Sequence, residues 1–525
     1  MLLATTNQIC QEVAPVPFLW VLPLAIYLLS FIICFDSERW YHRGIFHPAL
    51  GVAIFLGCIV LCRSTANIFF QVLTYCVLLF AACMVCHGEL VKLKPAERHL
   101  TSFFLMIAVG GALGGIFAAV IAPSIFTGYW EFQLAIWASA LMLFIVVMRE
   151  SQSWIHEHWP LTATLLVASA LTLPQLIGDE SITDATHRIV SGHQLLAIAV
   201  ALGLLAAAAF RKDSILNRKR PGLIVQAGVV AGLVVVGGVL LVSIAANLVT
   251  SSLTTRNFYG ALSVYSIDNN DPEKHSFKLR HGLIAHGIQY TAPDKRHLPL
   301  AYYGPDSGLG LLMAHLPRRS APDPLDRSIR IGDIGLGIGT VAGFGQRGDY
   351  IRFYEINPAV TKIATDPNGF FTYLRDSSAK VEIIPGDGRL SMEREVAGGN
   401  SQRFDVLVVD AFAGDAIPVH LLTVEAFGIY LRELNPDGVL AIHVSNRYLD
   451  LRPVIHELAD RFNLHSGWIH SDGGTFTVGS DWILLARTDE VLGQPEISNK
   501  LQSLDSQRKV RLWTDDYSNL FQILK

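Results

Sequence analysis

The sequence predicts a multispan α-helical membrane domain followed by an α/β domain, a doubly wound and mostly parallel sheet with a small β module ahead of it. Three observations predict this. Up to about residue 249 the chain is a series of apolar runs separated by short polar loops. From Ser251 onward charge, Asp, Gly and Pro rise to soluble-protein levels. From Ser328 onward, short apolar runs ending in Gly or an acid alternate with stretches that fit helices. Such alternation implies a parallel sheet covered on both faces. The 525 residues divide as 1–249, 250–304 and 305–525. A formal net charge of −4, with no Lys/Arg block in the soluble half, excludes a nucleic-acid binder, which needs a concentrated basic surface.

A spanning helix needs about 20 mostly apolar residues. Eight stretches qualify, near 17–35, 46–62, 68–87, 101–123, 132–148, 160–177, 192–210 and 222–249. The fourth contains VGGALGG, with Gly110 and Gly114 at small-xxx-small spacing, as are Gly111 and Gly115. Gly228 and Gly232 repeat the spacing in the eighth. Such pairs let helix backbones approach closely in lipid. The spans carry no Asp, Glu, Lys or Arg, so an ion-coupled transport path is the weaker reading. All seven cysteines lie in this half, including the CxxC of Cys83 and Cys86, which reads as small core residues. Loop charge is concentrated after the odd-numbered spans. By the positive-inside rule, eight spans then place the soluble half outside, while one span fewer reverses this.

The soluble half opens with RNFYGALSVYSI and HSFKLRHGLIAHGIQYT, alternating runs with Gly breaks that read as antiparallel strands. Five strands follow. SIRIGDIGLGIGT is a strand, a Gly-rich turn and a helix start; YIRFYEINP ends in Glu355; KVEIIPGDGR ends in Asp387; RFDVLVVDAF ends in Asp410; GVLAIHVSN is the fifth. Helices fit at PAVTKIATD and LLTVEAFGIYLREL. Ligands bind such sheets at the carboxyl ends of the strands, where Gly335, Gly337, Glu355, Asp387 and Asp410 all fall.

The chemistry of these residue types is specific. A GxG turn lets a backbone approach a ligand closely. Glu355, 20 residues after Gly335, stands where a carboxylate accepts hydrogen bonds from both ribose hydroxyls. Asp387 is placed to accept from an adenine amino group. Each acid alone is equally a cap or a turn residue. Three at successive strand ends after a Gly turn point to a nucleoside pocket.

These segments resemble the spermidine synthase family, within the Rossmann-like S-adenosylmethionine-dependent transferase fold. RNFYG, HGIQY, GDIGLGIGT, FYEINP, GDGR, VVDAFAGDAIPVHLLT, HVSNRYLDL and TDDY carry the resemblance, over about residues 255 to 460. It is closest to the bacterial subgroup with a multispan region fused ahead of the synthase-like domain, and implies a multi-pass protein of the cytoplasmic membrane. The resemblance implies aminopropyl transfer from decarboxylated S-adenosylmethionine to an amine, without a metal. It implies that Gly335, Gly337 and Gly339 line the donor, Glu355 holds the ribose, and Asp387 with Gly388 meets the adenine. Asp410 takes the proton of the attacking amine, and Gln289 helps close the site. Tyr302 or Tyr303 and Asp415 are implied on the acceptor side; His420, which lies close to the acids in the sequence, is either a further substrate contact or a packing or capping residue.

The physical logic is that an alkylammonium becomes a nucleophile only on losing a proton, and a nearby carboxylate both attracts the cation and accepts that proton. The stretch TAPDKRHLPLAYYGPDSG departs from the family: Asp294 is followed by Lys295, Arg296 and His297 rather than a second acid. Methyl or alkyl transfer from S-adenosylmethionine to a lipid amine therefore stays open, as does a polyamine or nucleoside sensor or transporter. The expected partners are a small amine or a lipid, the bilayer and a second copy of the chain. His315 and His443 read as packing or capping residues, and Asp515 and Asp516 as either cleft-lining or solvent-facing.

Overall fold

The structure is a computed structural model that describes residues 1–13, 19–61, 68–149, 221–282, 284–412, 417–446, 448–474, 477–504 and 508–525. The chain divides into two compact units, Met1–Thr254 and Thr255–Lys525.

The first unit is helical. Its long helices are α1 (Val21–Asp36), α2 (Arg43–Leu61), α3 (Ile68–Lys92), α4 (Leu100–Ile116), α5 (Glu131–Arg149) and α6 (Pro221–Thr250). They correspond to six of the eight expected spans; the stretches at 160–177 and 192–210 lie outside the described residues. Four described helices are long and apolar enough to cross a membrane: Arg43–Leu61, Ile68–Lys92, Glu97–Ile125 and Gly232–Thr250. A helical turn at Leu2–Asn7 was not expected from the sequence. Helix α3 runs five residues past its expected end, because its last turn finds partners for a charge. Glu89 accepts hydrogen bonds from Arg43 at 2.6 and 2.8 Å and from the Tyr41 hydroxyl at 2.8 Å. The expected close packing at Gly110, Gly111, Gly114 and Gly115 is not seen: a side chain added at any of them meets nothing within 4 Å among the described residues.

The second unit holds two sheets. Strands β1 (Ser251–Asn257), which begins just ahead of this unit, β2 (Gly260–Ile267), β3 (Ser276–His281) and β4 (Ile284–Tyr290) form one sheet in chain order, with β3 antiparallel to both β2 and β4. The larger sheet contains β5 (Arg330–Ile334), β6 (Tyr350–Glu355), β7 (Lys380–Pro385), β8 (Phe404–Val409), β9 (Leu434–His443), β10 (His465–Gly473) and β11 (Val478–Ala486). Its order is β10-β11-β9-β8-β5-β6-β7. The pairs from β7 to β9 are parallel, and β11 joins antiparallel to β9 and β10. The five expected strands are the parallel ones.

Both faces of this sheet are covered, which is why β8 is buried at every position and apolar at all but Asp405, whose carboxylate accepts from the Arg330 amide at 2.7 Å. Helices α7 (Gly308–Ala314) and α8 (Pro358–Thr365) pack on one face, with Ile331, Phe353 and Val408. Helices α9 (Gly388–Ala397), α10 (Val424–Glu433) and α11 (Arg452–Arg461) pack on the other, with Ile334, Leu407 and Val409. The helix expected after the Gly-rich turn is only a 3-10 turn, Thr340–Phe344. Gly343 and Gly345 disfavour a longer helix, and 15 residues separate β5 from β6.

The end of the sheet opposite the candidate site is fastened by Asp349. Its buried carboxylate accepts from Arg319 at 2.9 and 2.7 Å, and from the Ile329 and Gln346 amides at 2.9 and 2.7 Å. Removing one partner of a buried ion pair leaves the other charge uncompensated. Asp349→Ala is therefore expected to destabilise the second unit by about 3–5 kcal/mol. Urea unfolding of the detergent-solubilised chain, read by hydrogen exchange of the β5–β8 amides, checks this.

Candidate active site

The strand ends place four expected residues side by side. Along the order β8-β5-β6-β7 they are Asp410, Gly335, Glu355 and Asp387. The Gly335 amide donates to the Tyr354 carbonyl at 3.0 Å, and the Asp410 amide to the Ile334 carbonyl at 3.0 Å. The turn therefore begins while β5 is still held between its neighbours. Gly335 has φ +115°, and a Cβ there would sit 2.5 Å from the Asp410 carbonyl oxygen. Both facts demand glycine. At Gly337, with φ +53°, a Cβ would approach the His286 carbonyl oxygen on β4 at 3.1 Å. The small sheet thus lies across the Gly-rich turn.

Glu355 is buried, and its oxygens accept from the Leu336 amide at 3.0 Å and the Asn357 amide at 2.6 Å. Burial raises its carboxyl above the usual range, and the backbone amides oppose this. The bond to Leu336 ties the acid to the Gly-rich turn itself. Each carboxylate oxygen keeps a second lone pair for a ligand hydroxyl.

Asp387 caps helix α9, accepting from the Leu390 amide at 2.9 Å. Its other oxygen lies 3.0 Å from His420 Nε2, a bond that holds its carboxyl below the usual range. Expected as an adenine contact, it is also a cap, and His420 lies beside it rather than beside Asp410. Gly388 opens the helix against Ile334, which leaves no room for a side chain. Asp515 is clamped by Arg389 at 2.6 and 2.5 Å and by Thr423 at 2.9 Å. It therefore fastens the C-terminal segment to α9 and α10.

Asp410 has both oxygens occupied. The Tyr303 hydroxyl donates to Oδ2. His443 Nδ1 lies 2.7 Å from Oδ1, and His443 Nε2 lies 2.7 Å from Ser445 Oγ, which accepts from the Asp481 amide at 2.8 Å. A carboxylate accepts, so Nδ1 carries the ring proton and Nε2 accepts from Ser445. The ring lies between Tyr302, at 4.3 Å and 19°, and Trp482, at 4.8 Å and 22°. Burial and the Asp410 charge push the Tyr303 phenol far up, so it remains a donor.

His443 was expected to pack or cap. The structure instead places it on the expected base, because Val409 pairs with Ile442 and the next residues, Asp410 and His443, fall opposite. Its position at the end of the strand next to β8 was the signal for this in the sequence. Both tyrosines reach the site, Tyr303 by its hydroxyl and Tyr302 by its ring.

Gln289 is buried with its amide used internally. It donates to the Arg296 carbonyl at 2.6 Å and to Thr372 Oγ1 at 3.0 Å, and accepts from the Thr372 amide at 2.7 Å. It clasps β4 to two loops. The basic stretch after β4 is paired away: Lys295 with Glu273 at 2.6 Å and Arg296 with Asp376 at 3.0 Å. Gly339 carries a left-handed φ of +82° in the turn. Asp415 lies outside the described residues. Among the described residues, no cluster of three or more His, Cys, Asp or Glu has the arrangement of a metal site.

The arrangement is a glycine-lined backbone turn beside the buried Glu355 carboxylate, with the oriented Asp410 carboxylate at its edge. Gly335→Ala should lower affinity for an adenosine-type ligand by about tenfold or more, since strain and a clash act together. Gly428→Ala, on a helix where an added Cβ meets nothing within 4 Å, should leave it unchanged. Titration with methylthioadenosine measures both.

No protein-family profile matches the chain. A curated polyamine aminopropyltransferase from Vibrio vulnificus (strain CMCP6) is 32% identical over 187 residues. The match covers 35% of this chain and 55% of that protein, so the chain spans about half the length of this relative. Among solved structures, a spermidine synthase from Thermotoga maritima is similar at 13% identity and a TM-score of 0.33, covering 51% of this chain and 82% of the other. A probable spermidine synthase from Corynebacterium glutamicum ATCC 13032 is similar at 16% identity and a TM-score of 0.36, covering 48% and 89%. The curated relative thus carries the name of the activity that the sequence motifs resemble, that of the spermidine synthases.

Proposed function

We propose that the second unit transfers an aminopropyl group from decarboxylated S-adenosylmethionine to an amine, and that the apolar helices of the first unit anchor it in a membrane. The observation that carries this is Asp410, a carboxylate at the end of a buried strand, beside the glycine turn, with its orientation set by Tyr303 and His443. The curated relative supports the same reaction class. The sulfonium donor supplies an electrophilic carbon. What remains for the protein is to position two substrates and take one proton.

In this reading Gly335, Gly337 and Gly339 line the donor, Glu355 accepts from its ribose, and Asp387 with Gly388 borders the adenine. Gln289 shapes the wall through its clasp. Asp410 attracts the protonated acceptor and then receives its proton. His443 and Tyr303 are positioning residues: their hydrogen bonds fix which lone pairs face the amine. Charge-assisted bonds of this kind are short and directional.

A second reading, alkyl transfer to the amine of a lipid, draws on the four long apolar helices carried by the same chain. In either reading the base is Asp410.

Asp410→Asn should lower kcat by about 10²–10⁴, the usual contribution of a general base. Methylthioadenosine affinity should stay within about threefold of wild type, because the amide keeps the side-chain shape. A parallel loss of turnover and nucleoside binding would assign Asp410 a structural role. His443→Gln should lower kcat with little change in the donor KM, since it disturbs only the orientation of the base.

A further inference from the structure

One hydroxyl beside the candidate base has the surroundings of a nucleophile. Ser445 follows β9, two residues after His443. Its Oγ lies 2.7 Å from His443 Nε2, and His443 Nδ1 lies 2.7 Å from Asp410 Oδ1. An ionised carboxylate only accepts, so the ring proton sits on Nδ1 and Nε2 presents a lone pair. Carboxylate, imidazole and hydroxyl are thus joined in the order and at the spacing of a catalytic triad. Such triads are defined by geometry and roles, not by order along the chain.

Burial follows the same order. Asp410 and His443 are buried, whereas Ser445 is half-buried. The base is shielded from water while the hydroxyl remains within reach of a substrate. Other serine–histidine contacts among the described residues lack this arrangement. Ser30 meets His87 at 3.1 Å and Ser266 meets His275 at 2.7 Å, and neither ring is bonded to a carboxylate. His275 has the Thr291 hydroxyl on its second nitrogen, at 3.0 Å.

Two further features act on Ser445. The Asp481 amide donates to its Oγ at 2.8 Å. A hydroxyl has one proton, and here that proton is directed at Nε2. Holding the ring uses only the O–H, while the amide acts on the oxygen and stabilises negative charge that develops there. The imidazole is also fixed between Tyr302 and Trp482, which keeps Nε2 on Ser445.

We propose that Asp410, His443 and Ser445 form a second catalytic constellation, in which Ser445 attacks carboxylic esters. The Oγ proton passes to His443 Nε2 as Oγ bonds to the ester carbonyl carbon, and Asp410 holds the imidazolium so formed. The bond from that carbon to the leaving oxygen then breaks, and the departing alkoxide takes the proton from Nε2. Water next attacks the acyl-serine, giving a proton to Nε2. That proton returns to Oγ as the acid is released. The cycle needs only the ester and water. It uses the nitrogen that points away from Asp410, so it stands independently of the aminopropyl reading.

The test uses two reagents on the full detergent-solubilised chain. Diisopropyl fluorophosphate forms a stable adduct on an activated serine, and peptide mass spectrometry should locate that adduct on Ser445. p-Nitrophenyl acetate should be hydrolysed by wild type, and Ser445→Ala should lose both the hydrolysis and the adduct. His443→Gln keeps the hydroxyl but removes its base, and should slow labelling of Ser445 by about 10²-fold or more. An ordinary surface serine would show no such dependence on His443. If His443→Gln fails to fold, Asp410→Asn takes its place, because it leaves the ring present without the charge that supports the imidazolium. A Ser445 left unmodified in wild type would overturn the triad. So would an adduct on Ser445 that forms equally fast in the base variant.

Discussion

The hydrogen bonds that fix the Asp410 carboxylate are the interaction on which the rest of the candidate site depends. The carboxylate emerges from β8, a strand buried at every position, so its direction is set by core packing. One oxygen is held by Tyr303, from the loop after the small sheet. The other is held by His443, from the adjacent strand. The imidazole cannot turn, because Tyr302 and Trp482 flank it and Ser445 occupies its far nitrogen. Four segments distant in sequence therefore converge on one carboxylate. In a buried setting such charge-assisted bonds are strong, and an unmet acceptor would be costly.

The remainder of the site follows from sheet order. Putting β5 between β8 and β6 sets the Gly-rich turn between Asp410 and Glu355. Glu355 is bonded to that turn through the Leu336 amide, so the cradle and its acid form one unit. The small sheet lies across the turn, where the His286 carbonyl approaches Gly337. The Gln289 clasp keeps β4 there. Lys295 and Arg296, which follow Asp294 where the family has a second acid, are spent on Glu273 and Asp376. Around Asp410 stand Tyr303 and His443, with Tyr302 and Trp482 on the imidazole.

Much of this was legible in the sequence, for identifiable reasons. Strands β5 to β9 are short apolar runs bounded by Gly and acids, and a parallel sheet buried on both faces leaves that pattern. Glu355, Asp387 and Asp410 were legible because strand ends are where such sheets bind ligands. His443 was misread because its partner lies 33 residues away, and only the register of β8 against β9 brings them together. The helix expected after the Gly-rich turn shrank to a 3-10 turn because glycines follow at 343 and 345. The glycine pairs of α4 read as a packing surface, yet that face is open among the described residues, so spacing alone did not identify a neighbour.

The most direct measurement is the identity of the nucleoside product. The purified full chain, incubated with decarboxylated S-adenosylmethionine and putrescine, should release methylthioadenosine and spermidine in equal amounts, resolved by liquid chromatography and mass spectrometry. Omitting the amine should stop the release. Formation of S-adenosylhomocysteine from S-adenosylmethionine, with no methylthioadenosine from the decarboxylated donor, would contradict aminopropyl transfer.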